Sequence, residues 1–322
     1  MLLLGEVVME PSKLAPYFGT PERPQCDMLY NATTMCTTWN AVATRDVGLL
    51  RYQMEQVCAL PRTCLFQNYL RCHDDVGWGL DYPWLSQWYQ QQEVPHKKYL
   101  NDWFTGRWPG SWARGELYND DPRLGDARLC GTTASLCGVE SALESGDPAA
   151  LERAIDCHLM LHAWMLSQSG IPVLYSGDEL GQLNDYSYHN DPMKADDSRY
   201  VHRGNFQWDQ AALCRDENTI PGRIFQALRR LERIRGREQV FRADAEVTAP
   251  DSGNHAVLAL SRRYGEERLT AFFNFSEYPQ TAYCPEEELV DLVSGQRRMG
   301  GELSLPGYGF LWLKSGGEAE NP

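Results

Sequence analysis

The sequence predicts an α/β protein in which a parallel sheet precedes a small antiparallel β domain. Short apolar runs, typical of buried parallel strands, alternate with segments of helical periodicity. The runs end in polar residues, at the position where (β/α) barrels gather their chemistry. From about residue 239 the pattern changes to short strands separated by turn residues, which indicates a second kind of domain.

Three apolar runs are predicted to form the parallel strands, at residues 2–9, 64–71 and 171–176. Pro172 is tolerated because it stands near the start of its run. Polar residues mark the ends of the runs, namely Glu6, His73-Asp74-Asp75 and Asp178-Glu179. Because the carboxyl ends of parallel strands share one edge of a barrel, these side chains are the first candidates for a site.

Helical patterns lie between the runs. Residues 33–56 read as a helix in two pieces, and a third helix occupies residues 147–170, where Asp147 before Pro148 is an N-cap signal. A further helix begins near Pro221 and stops at Gly236. The inward faces of the last two helices are predicted to carry Ile155, Leu159, His162, Leu166, Ile224, Leu228, Leu231 and Ile234.

The remaining segments differ in composition. Residues 80–144 are rich in Trp, Gly, Pro and Asp and interrupt the α/β rhythm, which indicates an insertion over the barrel mouth. The predicted C-terminal strands are residues 256–260, 269–275 and 310–313, with turns at Gly253-Asn254, Gly265 and Gly300-Gly301. Residues 316–322 are expected to be a frayed end.

Composition excludes several function classes. The 322 residues carry a net charge of −14 and no basic cluster, so nucleic acid is not an expected partner. The apolar runs fall short of the roughly 20 residues that span a bilayer, and the first nine residues lack the features of a signal peptide. Ten cysteines without a CxxC pair favour a reducing, cytoplasmic setting. Ten Trp and sixteen Tyr suit either ordinary packing or stacking on sugar rings.

Individual polar residues permit more than one interpretation. Glu6 ends an apolar strand, which would favour the neutral form of a general acid, but it could also be an ordinary strand-end glutamate. His73, Asp74 and Asp75 could include metal ligands, although adjacent strand residues face opposite ways unless a turn intervenes. Arg199 follows two carboxylates and suits an ion-pair network.

Four segments resemble amylosucrases of the α-amylase superfamily, in matching order along nearly the whole chain. They are residues 69–78 (YLRCHDDVGW), 178–185 (DELGQLND), 194–199 (KADDSR) and 274–281 (NFSEYPQT).

The resemblance implies the C-terminal half of a (β/α)8 TIM barrel, with an inserted subdomain and then an antiparallel β-sandwich. It implies that Glu6 is the general acid/base of the fifth barrel strand and that Asp74 stabilises the transition state. The implied reaction transfers glucose from sucrose to an α-glucan without a cofactor. Substrate-binding roles are implied for His73, Asp75, Arg128 and Arg199. The corresponding divisions are residues 1–79 (strands five to seven), 80–145 (insertion), 146–238 (strand eight and last helix) and 239–322 (β domain).

One family feature is missing. The nucleophilic aspartate of amylosucrases lies on the fourth strand in a G-F-R-x-D-A pattern, ahead of the acid/base, and we expect it to be absent from this chain. Asp244 stands in a similar pattern, but after a charged helix and out of order. The chain is therefore expected to be inactive alone, or to need the other half as a separate partner. Hydrolysis of sucrose or α-glucosides and non-catalytic carbohydrate binding stay open as alternatives; no metal site is expected.

Overall fold

The computed structural model describes residues 1–121 and 126–315, and the predicted frayed end, residues 316–322, lies outside them. The chain divides into two compact units. The first takes in Met1–Asn68, Met160–Val173 and the described part of Arg229–Pro322, and the second takes in Tyr69–Leu159 and Leu174–Leu228.

The described residues contain β-strands, α-helices and 3-10 helices, joined by loops. The strands are β1 (Leu4–Gly5), β2 (Gly19–Thr20), β3 (Arg23–Pro24), β4 (Met28–Tyr30), β5 (Leu65–Asn68), β6 (Glu116–Tyr118), β7 (Arg128–Cys130), β8 (Ile171–Pro172), β9 (Glu246–Thr248), β10 (Val257–Tyr264), β11 (Glu267–Asn274), β12 (Gln280–Asp291), β13 (Arg297–Leu305) and β14 (Phe310–Ser315). The α-helices are α1 (Ala15–Phe18), α2 (Ala32–Thr44), α3 (Gly48–Cys58), α4 (Tyr82–Tyr89), α5 (Glu93–Phe104), α6 (Thr133–Leu136), α7 (Val139–Ser145), α8 (Pro148–Ser167), α9 (Trp208–Ala211) and α10 (Ile220–Arg237). The 3-10 helices are Pro11–Lys13, Asp178–Leu180, Tyr186–Asn190, Ser198–His202 and Gln239–Phe241.

A four-stranded parallel sheet in the order β1-β4-β5-β8 belongs to the first unit. Its strands are much shorter than the apolar runs that predicted them. Strand β4 was not among the predicted runs, because its three residues follow Cys26-Asp27 without a longer apolar stretch.

The two outer strands are not buried on all sides, contrary to the prediction. Leu3 beside β1 is 46% exposed and Ile171 in β8 is 45% exposed. Within residues 1–121 and 126–315, each outer strand pairs with one neighbour, so its other edge and the side chains next to it are left uncovered.

The predicted helices are confirmed. Residues 33–56 form α2 and α3, separated where Arg45 adopts a left-handed φ of 57° and Asp46 Oδ1 accepts from the Gly48 amide at 2.7 Å. Asp147 begins α8 as an N-cap, because its Oδ1 accepts from the amides of Ala149 and Ala150 at 2.9 and 3.2 Å.

The C-terminal domain is antiparallel, as predicted, and its six strands are hydrogen-bonded in the order β13-β12-β14-β11-β10-β9. Five of the strands contribute to one apolar cluster, with Val257, Ala259, Phe272, Ala282, Cys284, Leu289, Leu303, Leu305, Leu311 and Leu313. The turn at Gly265 is confirmed between β10 and β11. The turn predicted at Gly300-Gly301 is wrong: both glycines lie within β13, opposite a register shift between Cys284 and Glu288.

A buried arginine joins the end of α8 to the antiparallel sheet. The Arg262 side chain is fully buried and donates to three main-chain carbonyls, those of Val240, Ser167 and Arg242, each at 2.8 Å. Burial lowers the pKa of Arg262 to about 9. One guanidinium thus satisfies a helix-end carbonyl and two carbonyls of the loop before β9.

All ten cysteines are free thiols. Across residues 1–121 and 126–315, no helix is both long and apolar enough to cross a membrane.

Candidate active site

The candidate site is built on the segment that follows β5. Residues 71–75 run without regular structure, and Val76 then pairs with Leu129 through two main-chain hydrogen bonds of 2.7 and 3.0 Å. A bend at His73 and Asp74 replaces the alternation of a strand. The bend brings His73 Nε2 to within 3.2 Å of Asp74 Oδ2, so these neighbours share a side, which strand geometry alone would forbid.

Asp74 is the centre of this group. Its Oδ1 accepts from Arg199 at 3.2 Å and from Arg203 at 3.3 Å. Its side chain is 31% exposed and that of His73 is 61% exposed. Two guanidinium donors and the adjacent imidazole therefore surround a carboxylate that solvent, or a ligand, can still reach.

Arg199 is held by partners of its own. Its Nε and NH2 donate to the two oxygens of Asp197, both at 2.8 Å, and its guanidinium lies 4.5 Å from the centre of the Tyr118 ring. The hydrogen bond from Arg199 holds the pKa of Asp197 below its usual range, and that with Asp197 raises the pKa of Arg199. The bidentate pair and the ring together leave the guanidinium little freedom.

Arg203 is a second arginine on Asp74, and it was not among the predicted site residues. Its Nε also donates to the His73 carbonyl at 2.5 Å, so it holds both the main chain and the side chain of the bend. The sequence carried a signal for it. Arg203 directly follows the 3-10 helix Ser198–His202, so it stands only four residues after the predicted site residue Arg199.

His202 supports the same bend from a buried position and was also missed. Its Nδ1 accepts from the Gly131 amide at 3.1 Å, and its Nε2 lies 3.4 Å from the His73 carbonyl. Burial, reinforced by the charge of Arg71, lowers the pKa of His202 to about 3. The imidazole is therefore neutral, with its proton on Nε2 facing the carbonyl.

A buried ion pair lies next to His202. Arg71 and Asp178 are 4% and 2% exposed, and Arg71 Nε donates to Asp178 Oδ1 at 2.9 Å. Arg71 NH1 also donates to the His202 carbonyl at 3.2 Å, and Thr133 donates to the second oxygen of Asp178 at 2.9 Å. Both charges are thus paired and hydrogen-bonded, the condition for keeping them out of water.

The second predicted pair is looser. Arg128 NH1 lies 3.5 Å from Asp75 Oδ2, and the side chains are 47% and 8% exposed. The structure therefore pairs two predicted arginines with two predicted aspartates of residues 71–75. Arg199 contacts Asp74, and Arg128 contacts Asp75. The half-exposed side chain of Arg128 remains accessible to a ligand.

Glu6 belongs to the first unit, whereas the other predicted site residues belong to the second. It directly follows β1, as predicted for a strand-end residue, but its side chain is exposed. The apolar surroundings expected from the neighbouring sequence are missing because those neighbours are themselves exposed, with Leu4 at 37% and Val8 at 60%. Asp244 forms an exposed ion pair with Arg242 at 3.0 Å, and this contact lowers the pKa of Asp244.

Among the described residues, Cys72, His73 and Asp74 place potential metal-ligand atoms within 4.8 Å of one another. Thiolate, imidazole and carboxylate are a donor set that Zn²⁺ accepts. Two guanidinium groups already share Asp74 Oδ1, and their positive charge opposes a cation there. The ion-pair network accounts for Asp74 without a metal.

No family model matches the chain. It is 28% identical over 176 residues to glucosylglycerate phosphorylase of Escherichia coli K12, covering 54% of this chain and 30% of that protein. It is 23% identical over 315 residues to a trehalose synthase of Thermus thermophilus, covering 91% of this chain and 28% of that protein. The chain thus spans about a third or less of these relatives.

Solved structures agree in fold. The sucrose 6F-phosphate phosphorylase of Thermoanaerobacter thermosaccharolyticum superposes with a TM-score of 0.59 at 20% identity, covering 85% of this chain and 48% of that one. Together, the related sequences and the solved structures show that this chain is similar in sequence and in fold to enzymes of the α-amylase superfamily.

Proposed function

We propose that this chain is part of an amylosucrase-like enzyme that transfers glucose from sucrose to an α-glucan and releases fructose. The observation that carries the proposal is the environment of Asp74. Two arginines donate to its carboxylate and His73 lies 3.2 Å from it, while nearly a third of its side chain stays accessible. Such a carboxylate can hold sugar hydroxyls, and these contacts strengthen as the ring acquires oxocarbenium character.

The proposed chemistry uses two carboxyl groups. Glu6 protonates the oxygen that leaves with fructose while a carboxylate attacks the glucosyl C1, giving a covalent glucosyl-enzyme. A glucan hydroxyl then attacks the same carbon, and Glu6 takes its proton. Asp74 stabilises both transition states. Substrate is bound by His73, Asp75, Arg128 and Arg199. The bend that carries Asp74 is held in place by Arg203 and His202.

The nucleophile is proposed to lie outside residues 1–322. Asp244 is a poor alternative because it is already committed to an exposed pair with Arg242. The four parallel strands with two free edges are consistent with half of an eight-stranded barrel. In this proposal residues 1–79 and 146–238 form the half barrel, residues 80–145 form the insertion and residues 239–322 form the β domain. We also propose a cytoplasmic setting, because the ten cysteines include no CxxC pair.

The experiment is a complementation assay of fructose release from sucrose. The purified chain is measured alone and together with a separately expressed amylosucrase N-terminal half that carries the G-F-R-x-D-A strand. We expect no release by the chain alone, and release on mixing that Glu6→Gln or Asp74→Asn lowers at least about a thousandfold. Asp244→Asn is the matched control and should keep full activity.

Two results would contradict the proposal. Fructose release by the chain alone, abolished by Glu6→Gln, would mean that a carboxylate within residues 1–322 completes the site. Activity of the mixture that survives Asp74→Asn would remove the proposed role of Asp74. Glucose equal to fructose, without glucan growth, would favour the hydrolase; glucan binding without any turnover would favour the non-catalytic alternative.

A second candidate is phosphorolysis, favoured by the similarity to two phosphorylases. Phosphate would replace the glucan as acceptor, and the half-exposed Arg128 could contribute to its binding. The same mixture with sucrose and inorganic phosphate distinguishes the candidates. Formation of glucose 1-phosphate that falls with Arg128→Gln would establish the phosphorylase, whereas glucan growth unaffected by phosphate would exclude it.

A further inference from the structure

A group of exposed aromatic rings stands on α4. Trp88 and Tyr89 are 64% and 42% exposed, and half-buried Trp84 lies between them, with ring centres 6.3 Å from Trp88 and 5.4 Å from Tyr89. Both contacts are tilted by 39°, so the rings are not stacked face to face. We call Trp84, Trp88 and Tyr89 the aromatic surface.

The helix that carries this surface, α4, is held in place by hydrogen bonds and by packing. Asp81 Oδ1 caps it by accepting from the Trp84 amide at 2.9 Å, and Leu85 packs inward at 4% exposure. The Tyr82 hydroxyl donates to the Trp78 carbonyl at 3.1 Å. Trp78 is itself buried and donates through Nε1 to Asn101 at 2.7 Å. Exposed rings on a fixed helix need little ordering when a ligand binds.

The segment of chain that carries the aromatic surface is polar but uncharged. Residues 82–92 contain no charged side chain, although 23% of the chain is charged. Between and beside the rings stand Ser86, Gln87, Gln90, Gln91 and Gln92, all exposed. Hydroxyl and amide groups donate and accept hydrogen bonds without favouring an ion, which suits a ligand rich in hydroxyl groups.

The backbone at the end of α4 adds a second observation. Gln90 caps the helix in the left-handed region, with φ 53°. Glycine or asparagine usually occupies this position, because a larger side chain strains the backbone there. A strained residue that keeps a hydrogen-bonding side chain beside exposed rings indicates a function at this place.

We propose that the aromatic surface is a secondary binding site for an α-glucan chain, separate from the Asp74 group. Apolar C–H faces of consecutive glucose rings stack on Trp88, Trp84 and Tyr89, and the flanking glutamines bind their hydroxyls. Only the choice of an α-linked glucan rests on the proposed function, because the stacking itself requires no catalysis. The site would hold a polymeric acceptor close to the enzyme and raise its local concentration.

The test is native electrophoresis of the 322-residue chain through gels that contain glycogen, with retardation converted to a dissociation constant. We expect Trp88→Ala and Tyr89→Ala each to weaken glycogen binding about tenfold, equivalent to about 1.4 kcal/mol. Trp208→Ala is the matched control, because Trp208 is also an exposed tryptophan, at 76%, with a neighbouring ring, that of Phe206, and lies outside the aromatic surface. It should migrate as the wild type does. Unchanged urea midpoints exclude unfolding as the cause.

Two further measurements distinguish glucan binding at the aromatic surface from glucan binding at the Asp74 group. Asp74→Asn should be retarded as strongly as the wild type. Retardation lost in Asp74→Asn but kept in Trp88→Ala would overturn the secondary site, as would a wild type that glycogen does not retard. Equal retardation by hydroxyethyl cellulose, a β-linked polymer, would overturn the α-glucan assignment. None of these results depends on fructose release, so either proposal can fail without the other.

Discussion

At the scale of single residues, the network around Asp74 depends on a charge pair that is almost completely out of water. Arg71 and Asp178 anchor the main chain at His202, and His202 in turn contacts the His73 carbonyl. Desolvating two ions is costly, so the pair stabilises the fold only while both members are present.

We therefore predict that Arg71→Met lowers the free energy of unfolding by about 3–5 kcal/mol, because it leaves Asp178 charged, buried and deprived of its main partner. The double variant Arg71→Met/Asp178→Leu should recover much of this loss. Urea denaturation measures both. Arg223→Ala, which breaks the exposed pair with Glu152, is the control and should cost about 1 kcal/mol or less. Equal losses for Arg71→Met and Arg223→Ala would show that burial of the pair is unimportant.

A second residue-scale prediction concerns acid. Arg199 holds the pKa of Asp197 below its ordinary value, so in acid the unfolded chain takes up this proton before the folded chain does. The pair's contribution to stability is present above about pH 4 and is lost as the pH falls through the lowered pKa. Asp197→Asn and Arg199→Gln should both flatten the fall in unfolding free energy between pH 5 and 2.5. A decline in Asp197→Asn as steep as in the wild type would exclude this linkage.

At the scale of elements, Arg262 shows how a strand residue can fix the end of a helix. It alternates along β10 with Arg263, so the two neighbouring side chains point to opposite faces. Arg262 is buried against three carbonyls, whereas Arg263 is exposed and pairs with Glu246. The sequence alone did not show which of the two adjacent arginines, Arg262 or Arg263, would be buried.

We predict that Arg262→Met destabilises the protein by roughly 3–5 kcal/mol, because three carbonyls lose a charged donor inside the protein. Arg262→Lys should rescue little, since one ammonium cannot reproduce the planar guanidinium that reaches all three. Arg263→Ala, one residue away, should have little effect. Thermal and urea unfolding measure the series, and a stable Arg262→Lys variant would refute the requirement for the guanidinium geometry.

At the scale of the whole molecule, the parallel sheet leaves apolar side chains uncovered beside both of its outer strands. Leu3 and Val8 flank β1, while Ile171 and Val173 lie at β8, and all four are more than a third exposed. Free strand edges with apolar neighbours promote association, because both main-chain hydrogen bonds and apolar area remain to be gained.

We predict that the isolated chain associates as its concentration rises through the micromolar range, and that Leu3→Lys combined with Val173→Lys shifts it toward the monomer. Sedimentation velocity measures the change. Met193→Lys, at a position that is 89% exposed but outside the sheet, is the control and should not alter association. A wild-type monomer with a sharp, reversible thermal transition at these concentrations would contradict the prediction.

The sequence alone determined those features that depend on local patterns. Helical periodicity and the Asp147 cap located the long helices, because both signals act within a few residues. Polar residues after β5 located the segment of Asp74, and motifs in order along the chain indicated the resemblance to the α-amylase superfamily.

Only the tertiary structure decided which of these residues meet and how far each strand extends. Strand length depends on pairing with neighbours far along the chain, so residues 2–9 shortened to Leu4–Gly5 and Gly300-Gly301 entered a strand. Arg203 and His202 reach the His73 bend across about 130 residues, so their closeness to Arg199 in the sequence did not show that they contact this bend. Burial, which sets the neutral state of His202 and the importance of Arg71, is likewise a property of packing and cannot be read from neighbouring letters.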